Sequence, residues 1–237
     1  DSDKAGWYRI VLDGTCCVQA SDEDGAWYAQ VTLENLKRNA GGNEIPNMVI
    51  EDWPDLGYRG FMLDISRNFT TKDNILRFID LLAHYKVNVF HLHFGDDEGW
   101  RVEIEKFPEL TTFGAYHEFP YKNEDGEYVE ENYLMPSYNG GMDPEDMSSS
   151  ANGHLTKEDY IEILKYAWER RISVIPEFDT PGHSRAAIKA MDKYAERTGD
   201  DSYLLYDPED TSDYCSVQYY RDNALNVALP STYRFIE

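Results

Sequence analysis

Two stretches of equal length align without a gap: Thr71 to Phe90, TKDNILRFIDLLAHYKVNVF, and Thr156 to Ile175, TKEDYIEILKYAWERRISVI. Each opens on a threonine with an acid soon after, the pattern of a helix N-cap and an acidic first turn. Apolar residues then recur at helical spacing, at Ile75, Phe78, Ile79 and Leu82 and at Tyr160, Ile163, Leu164, Ala167 and Trp168. Each helix passes through a basic residue, Lys86 or Arg171, into a β-branched run, Val87 to His91 or Ile172 to Ile175. Such runs lack a polar face and predict parallel strands covered on both sides. A further strand at Gly60 to Ile65 precedes the first helix, and a further helix at Ser184 to Arg197 follows the last strand. The order β-α-β-α-β-α predicts a parallel α/β fold, a (β/α) barrel or a doubly wound sheet.

Upstream the pattern changes. Tyr8 to Leu12 and Thr15 to Ala20 flank the turn Asp13-Gly14 and predict a hairpin, and Gly25 to Leu36 predicts a helix. Two strands and a helix bury no core alone, so residues 1–40 read as the tail of a small α+β domain. Residues 41–57 form a connector, and 58–237 the start of the α/β domain. Within it, 118–153 is an acidic excursion with nine acids and one base, read as a solvated loop. Pro230 to Glu237 starts a helix.

Charge narrows the partners. The 237 residues carry 22 Lys+Arg against 45 Asp+Glu, a net charge of −23, which disfavours nucleic acid and anionic lipid. No apolar run approaches the ~20 residues of a membrane span, and Asp1 to Gly6 lacks the features of a signal peptide. Cys16, Cys17 and Cys215 are expected to be free thiols, buried or half-buried, because three cysteines build no disulfide framework and no CxxC is present.

Polar residues gather where each predicted strand ends: Asp64, Arg67 and Asn68; His91, His93, Asp96, Asp97, Glu98 and Arg101; Glu177, Asp179 and His183. That edge is where parallel α/β folds build active sites. Carboxylates accept hydroxyl hydrogens and indole faces suit sugar rings, so a neutral polyhydroxylated ligand fits. Arg59, with its planar fork, suits two adjacent sugar hydroxyls or an ion pair with Asp64. His91 and His93 share a strand face as a metal-binding pair would, although packed histidines are commoner. His183 paired with an Asp96 carboxylate would be held in one tautomer, and helix capping is the blander role for both.

The segments RGFMLDISRNF (59–69), NVFHLHFGDDEGWR (88–101) and VIPEFDTPGHS (174–184) together resemble three successive motifs of the family 20 glycoside hydrolases, the β-N-acetylhexosaminidases. The resemblance implies a (β/α)8 TIM barrel, present here as about three βα units, after a small α+β domain. It implies removal of terminal N-acetylhexosamine from glycans by substrate-assisted retention: the sugar's acetamide oxygen attacks the anomeric carbon, an Asp orients the acetamide, and the adjoining Glu is the general acid. By resemblance Arg59 grips sugar hydroxyls, Asp96 and His183 tune the acid, and Asp179 and Glu177 stand behind them. No cofactor or metal is implied, and the compartment is secreted, periplasmic or lysosomal. The family's His-x-Gly-Gly-Asp-Glu motif does not occur in residues 1–237, so the chain reads as an inactive fragment of a hydrolase, prone to self-association. The competing expectations are a non-catalytic sugar-binding barrel and a metal-dependent hydrolase using His91 and His93.

Overall fold

The computed structural model describes residues 3–116, 151–218 and 220–237. All but the last three residues of the acidic excursion at 118–153 lie outside them. Contacts divide the chain into two units, Asp1–Phe61 with Ile75–Phe90 and Ile163–Ile175, and Met62–Asn74 with His91–Glu162 and Pro176–Glu237.

The first unit begins with the predicted hairpin, β1 (Tyr8–Leu12) and β2 (Cys16–Ala20), and the helix α1 (Glu23–Ala40). Asp22 caps α1, its carboxylate accepting from the Gly25 N–H at 2.7 Å and from the Gly6 N–H at 2.8 Å. A Cβ on Gly25 would stand 2.2 Å from the Trp7 carbonyl oxygen, so only glycine fits that close approach. The connector holds a strand that the periodicity did not announce, β3 (Met48–Asp52), antiparallel to β1 with Ile10 opposite Ile50. Only three of its residues are apolar; pairing with β1, not its own pattern, makes it a strand. Tyr8, Ile10, Tyr28 and Ala29 form the small core here. The cysteines correct the expectation of burial: Cys16 and Cys17 sit on the outermost strand β2, and all three thiols are free and exposed.

The α/β part follows the repeated pattern. Its elements are β4 (Gly60–Asp64), α2 (Lys72–His84), β5 (Val89–Asp96), β6 (Gly99–Trp100), α3 (Glu109–Thr112), α4 (Lys157–Trp168), β7 (Ser173–Phe178), α5 (Arg185–Thr198) and α6 (Pro230–Ile236). β5 lies between β4 and β7. At the strand starts Asn88 N–H donates to Arg59 O and Ser173 N–H to Asn88 O; at the ends Ile65 N–H donates to His93 O and Asp179 N–H to Gly95 O. Starts beside starts and ends beside ends make the three strands parallel, with helices as crossovers.

The two repeats agree down to the backbone. Lys86 (φ 56°) and Arg171 (φ 59°) both take the left-handed conformation that ends a helix. Lys86 and Val87 N–H donate to Ala83 and Leu82 O, and Arg171 and Ile172 N–H to Trp168 and Ala167 O, at identical offsets. α4 adds a reciprocal cap, Thr156 Oγ1 accepting from Asp159 N–H and Asp159 Oδ2 from Thr156 N–H, both at 3.1 Å.

The second unit's core joins Trp100, Phe107 and Leu110 to one face of α5, Ala186, Ala187, Ala190 and Met191. Trp100 stacks on Phe178 at 4.6 Å between ring centroids. Its indole therefore packs the core instead of offering a free face. Arg101 is fully buried and, among the described residues, donates to carbonyls: Nε and Nη2 to Ser66 O, and Nη1 to Ala115 O and Gly153 O. Residues 115 and 153 are thus tied together by one guanidinium, which burial pushes down to about 9. Among the described residues no helix is long and apolar enough to cross a membrane.

Candidate active site

The strands run further than their apolar runs suggest, so the motif residues stand on them rather than after them. β5 continues through His91, His93 and Asp96, and β7 through Glu177. Period-two alternation sends His91 and His93 to one face and Phe90, Leu92 and Phe94 to the other, where they are buried. Beyond Asp96 the chain turns at Asp97-Glu98 into β6, which pairs back antiparallel on β5 with Asp96 opposite Gly99. The result is a buried acidic turn at the carboxyl end of β5, with Asp96, Asp97 and Glu98 each 1% exposed.

Asp96 is the hub. Its Oδ1 accepts from the Asp97 N–H at 2.6 Å and lies 3.2 Å from His183 Nδ1. Its Oδ2 is 2.9 Å from His93 Nε2 and 2.6 Å from Arg67 Nη2. Burial alone would raise this carboxyl, but the bonds from His93 and Asp97 N–H and the charges of Arg67 and His183 hold it below its ordinary value. The sequence expectation brought Asp96 and His183 together, and the structure places them in contact. His183 occupies a left-handed backbone position (φ 54°) just before α5. Its Nδ1 faces Asp96 and also Asp97 Oδ2 at 3.2 Å, which turns Nε2 the other way.

Asp97, and not Asp96, supplies the helix cap. Its Oδ1 accepts from the Arg185 N–H in the first turn of α5 at 3.1 Å, and its Oδ2 from Asn223 Nδ2 at 2.9 Å. Burial raises the Asp97 carboxyl, with Asn223 and the Arg185 N–H pulling against it. Glu98 is pushed up to about 7 by burial first and then by the Asp96 charge, with Arg67 opposing.

Arg59 needs a correction. It stands just before the start of β4, the edge opposite to the one where the motifs end. Nε donates to Lys86 O at 2.8 Å, Nη1 to Leu56 O at 2.6 Å and Nη2 to the Tyr28 hydroxyl at 2.6 Å. A guanidinium so engaged at the strand starts holds structure and does not grip a ligand at the strand ends. The arginine at the carboxyl edge is Arg67, three residues after β4, with Asp64 at 2.6 Å, Asp96 at 2.6 Å and Glu98 at 3.5 Å. Its side chain remains 26% exposed, which leaves donors within reach of a ligand. Reading strand direction as well as residue type would have singled it out. Asn223 carried no local signal, because its partner Asp97 lies 126 residues away.

The histidine pair converges on one carboxylate. His93 Nδ1 and His91 Nε2 each lie 2.9 Å from Glu177 Oε2, and the other nitrogen of His93 is taken by Asp96. Among the described residues two triplets bring ligand atoms within 4.8 Å, His93 with Asp96 and Asp179, and Asp96 with Asp97 and His183. In both, a histidine nitrogen faces a carboxylate, an arrangement that can share protons. A cavity of about 580 Å3 opens beside it, lined by Asp96, Trp100, Phe178, Asp179 and His183.

Residues 56–237 match the family described as glycosyl hydrolase family 20, catalytic domain, and residues 1–53 match its domain 2. The chain belongs to glycosyl hydrolase family 20. A beta-hexosaminidase of Vibrio vulnificus is 40% identical over 247 residues, spanning 100% of this chain and 28% of the relative. Among solved structures, an inactive mutant of the GH20 exo β-N-acetylglucosaminidase of Vibrio harveyi aligns with a TM-score of 0.79 at 37% identity, over 98% of this chain and 33% of that one. The same enzyme in complex with N-acetylglucosamine aligns with a TM-score of 0.75 at 32% identity, over 100% and 34%. The family 20 chain thus spans about a third or less of each of these three, and its three βα units are part of a (β/α)8 barrel.

Proposed function

We propose that the complete protein is a retaining exo-β-N-acetylhexosaminidase that removes terminal β-linked N-acetylhexosamine from glycans, and that this chain supplies one side of its sugar subsite. The observation that carries this reading is the cluster at the ends of three parallel strands: Arg67, Asp96 and His183 joined around one buried carboxylate. Arg67 presents a partly exposed fork able to bind adjacent hydroxyls. Asp96 holds the Nδ1–H of His183, so that Nε2 accepts from, or donates to, a general acid carried on another strand. Asp179 and Glu177 stand behind this pair. In the substrate-assisted reaction the acetamide oxygen forms the bond to C1, the glycosidic oxygen leaves with the acid's proton, and water later opens the cyclic intermediate. The Asp and Glu for those steps have no His-x-Gly-Gly-Asp-Glu motif in residues 1–237. The same reading puts the protein in a secreted, periplasmic or lysosomal compartment. It also expects residues 1–237 alone to self-associate, because among the described residues β4 and β7 stand at the edges of the parallel sheet.

The test compares the complete protein with residues 1–237 on 4-nitrophenyl N-acetyl-β-D-glucosaminide. Turnover by the first and none by the second is the expected result. Turnover by the short chain would move the chemistry to a pair within it, Asp97-Glu98 foremost, and end the assignment of roles given above.

A further inference from the structure

His91, Glu177 and His93 form a ladder across β5 and β7 that the reaction as written does not use. Glu177 Oε2 sits 2.9 Å from His91 Nε2 and 2.9 Å from His93 Nδ1, and His93 Nε2 meets Asp96 Oδ2 at 2.9 Å. His93 therefore has a carboxylate oxygen against each ring nitrogen. A neutral imidazole owns one N–H and would set its lone pair against one of the two carboxylates; an imidazolium donates to Asp96 and sets its positive charge against Glu177, whose 2.9 Å contact is an ion pair and not an aligned hydrogen bond. The His93 side chain is 4% exposed and that of Asp96 fully buried, so an unmatched charge here would be costly. Oδ2 of Asp96 is thereby fixed by His93 and Arg67, which leaves Oδ1 for His183.

We propose that His93 is a positioning residue, held as an imidazolium between Glu177 and Asp96, whose charge keeps the Asp96 carboxylate ionised and aimed at His183. This rests on the reading that Asp96 and His183 tune the general acid. His93 touches no substrate atom in this scheme; Glu177 keeps it protonated, and Asp96 receives the benefit. The charged and titratable groups facing it are Asp64 and Arg67 at the end of β4, His91 and Asp96 on its own strand, and Glu177 and Asp179 from β7 and just after it. Burial pulls the His93 ring down, yet the bonds to Asp96 and Glu177 prevail and set it at about 9. With the folded value above the ordinary 6.5, the charge is present at neutral pH and lost as pH rises through about 9.

The experiment uses the complete protein with 4-nitrophenyl N-acetyl-β-D-glucosaminide, following kcat and KM from pH 5 to 10. Glu177→Gln keeps shape and removes the charge, so His93 should lose its proton nearer neutrality. The expected result is a KM within about twofold of the parent, kcat down roughly tenfold at pH 8, and an alkaline limb displaced acidward by about one pH unit. His93→Gln should lower kcat ~10–100-fold, and adding Glu177→Gln to it should change nothing more, since the coupling runs through the lost imidazole. Should His93→Gln fail to fold, Glu177→Gln, an isosteric change at a side chain that is one-third exposed, carries the test alone. A Glu177→Gln profile superimposable on the parent's overturns this inference and leaves the functional reading standing. No turnover by the parent protein overturns both.

Discussion

Two arginines bracket the five residues of β4 and live in different worlds. Arg59, before the strand, spends its donors on two carbonyls and a tyrosine hydroxyl, all uncharged. Arg67, after the strand, faces three carboxylates and keeps part of its fork open. The chemistry of the side chain is identical, so the difference comes from strand direction. At the starts of parallel strands, backbone turns leave carbonyls to be satisfied; at their ends, side chains from neighbouring strands converge and charges collect. Lys86 and Arg171, at the starts of β5 and β7, obey the same division, turning the chain from helix to strand.

The sharpest way to break this comparison is at Arg101, a fully buried cation of the second unit. Arg101→Ala would leave a cavity and strip three carbonyls, those of Ser66, Ala115 and Gly153, of their donors. The expected loss is about 3–5 kcal/mol, read from urea unfolding of the complete protein. A loss under about 1 kcal/mol would show that the clamp between residues 115 and 153 is dispensable.

Next in size is the exchange of roles between Arg67 and Arg59. Arg67→Ala should lower kcat/KM on an aryl N-acetylglucosaminide by about 10²–10³-fold, the worth of one or two charge-assisted bonds. Arg59→Ala should leave kcat/KM intact and cost roughly 1–3 kcal/mol of stability. The reverse pattern would restore Arg59 to the sugar site.

Glu98 tests the electrostatics of the same edge. Its folded value of about 7 lies above the ordinary 4.5, so between these pH values the folded state binds the extra proton. Stability from this group is complete below pH 4.5 and lost as pH rises through 7, by about 3 kcal/mol in total. Glu98→Gln should flatten that decline and leave the variant the more stable form at pH 8, measured by unfolding at a series of pH values. An unchanged slope would mean that Arg67 neutralises Glu98 fully.

The smallest effect belongs to the strand starts. Arg171→Gly relieves a left-handed backbone but gives up the ion pairs with Glu23 and Asp24. Strain relief of ~1 kcal/mol against a surface pair worth ~0–1 kcal/mol leaves a net change within about 1 kcal/mol. A melting temperature lowered by more than several degrees would show that this end carries more than a turn.

Local pattern determined the alternation of helix and strand, the repeated turn at Lys86 and Arg171, and the three motifs by which the family is recognisable, because spacing along the chain reports which side chains share a face. The meeting of Asp96 with His183 was legible for the same reason: both stand at strand ends of a parallel sheet, where only a few partners are in reach. Tertiary structure alone decided that residues 48–52 join the first sheet, that Asp97 and not Asp96 caps α5, and that Arg67 and not Arg59 joins the carboxylates at the strand ends. It also decided that one oxygen of Glu177 stands against both His91 and His93. Each of these depends on a neighbour tens of residues away supplying a hydrogen bond or a charge. A buried polar group is placed by its partner, and the identity of that partner is set by which strands lie side by side.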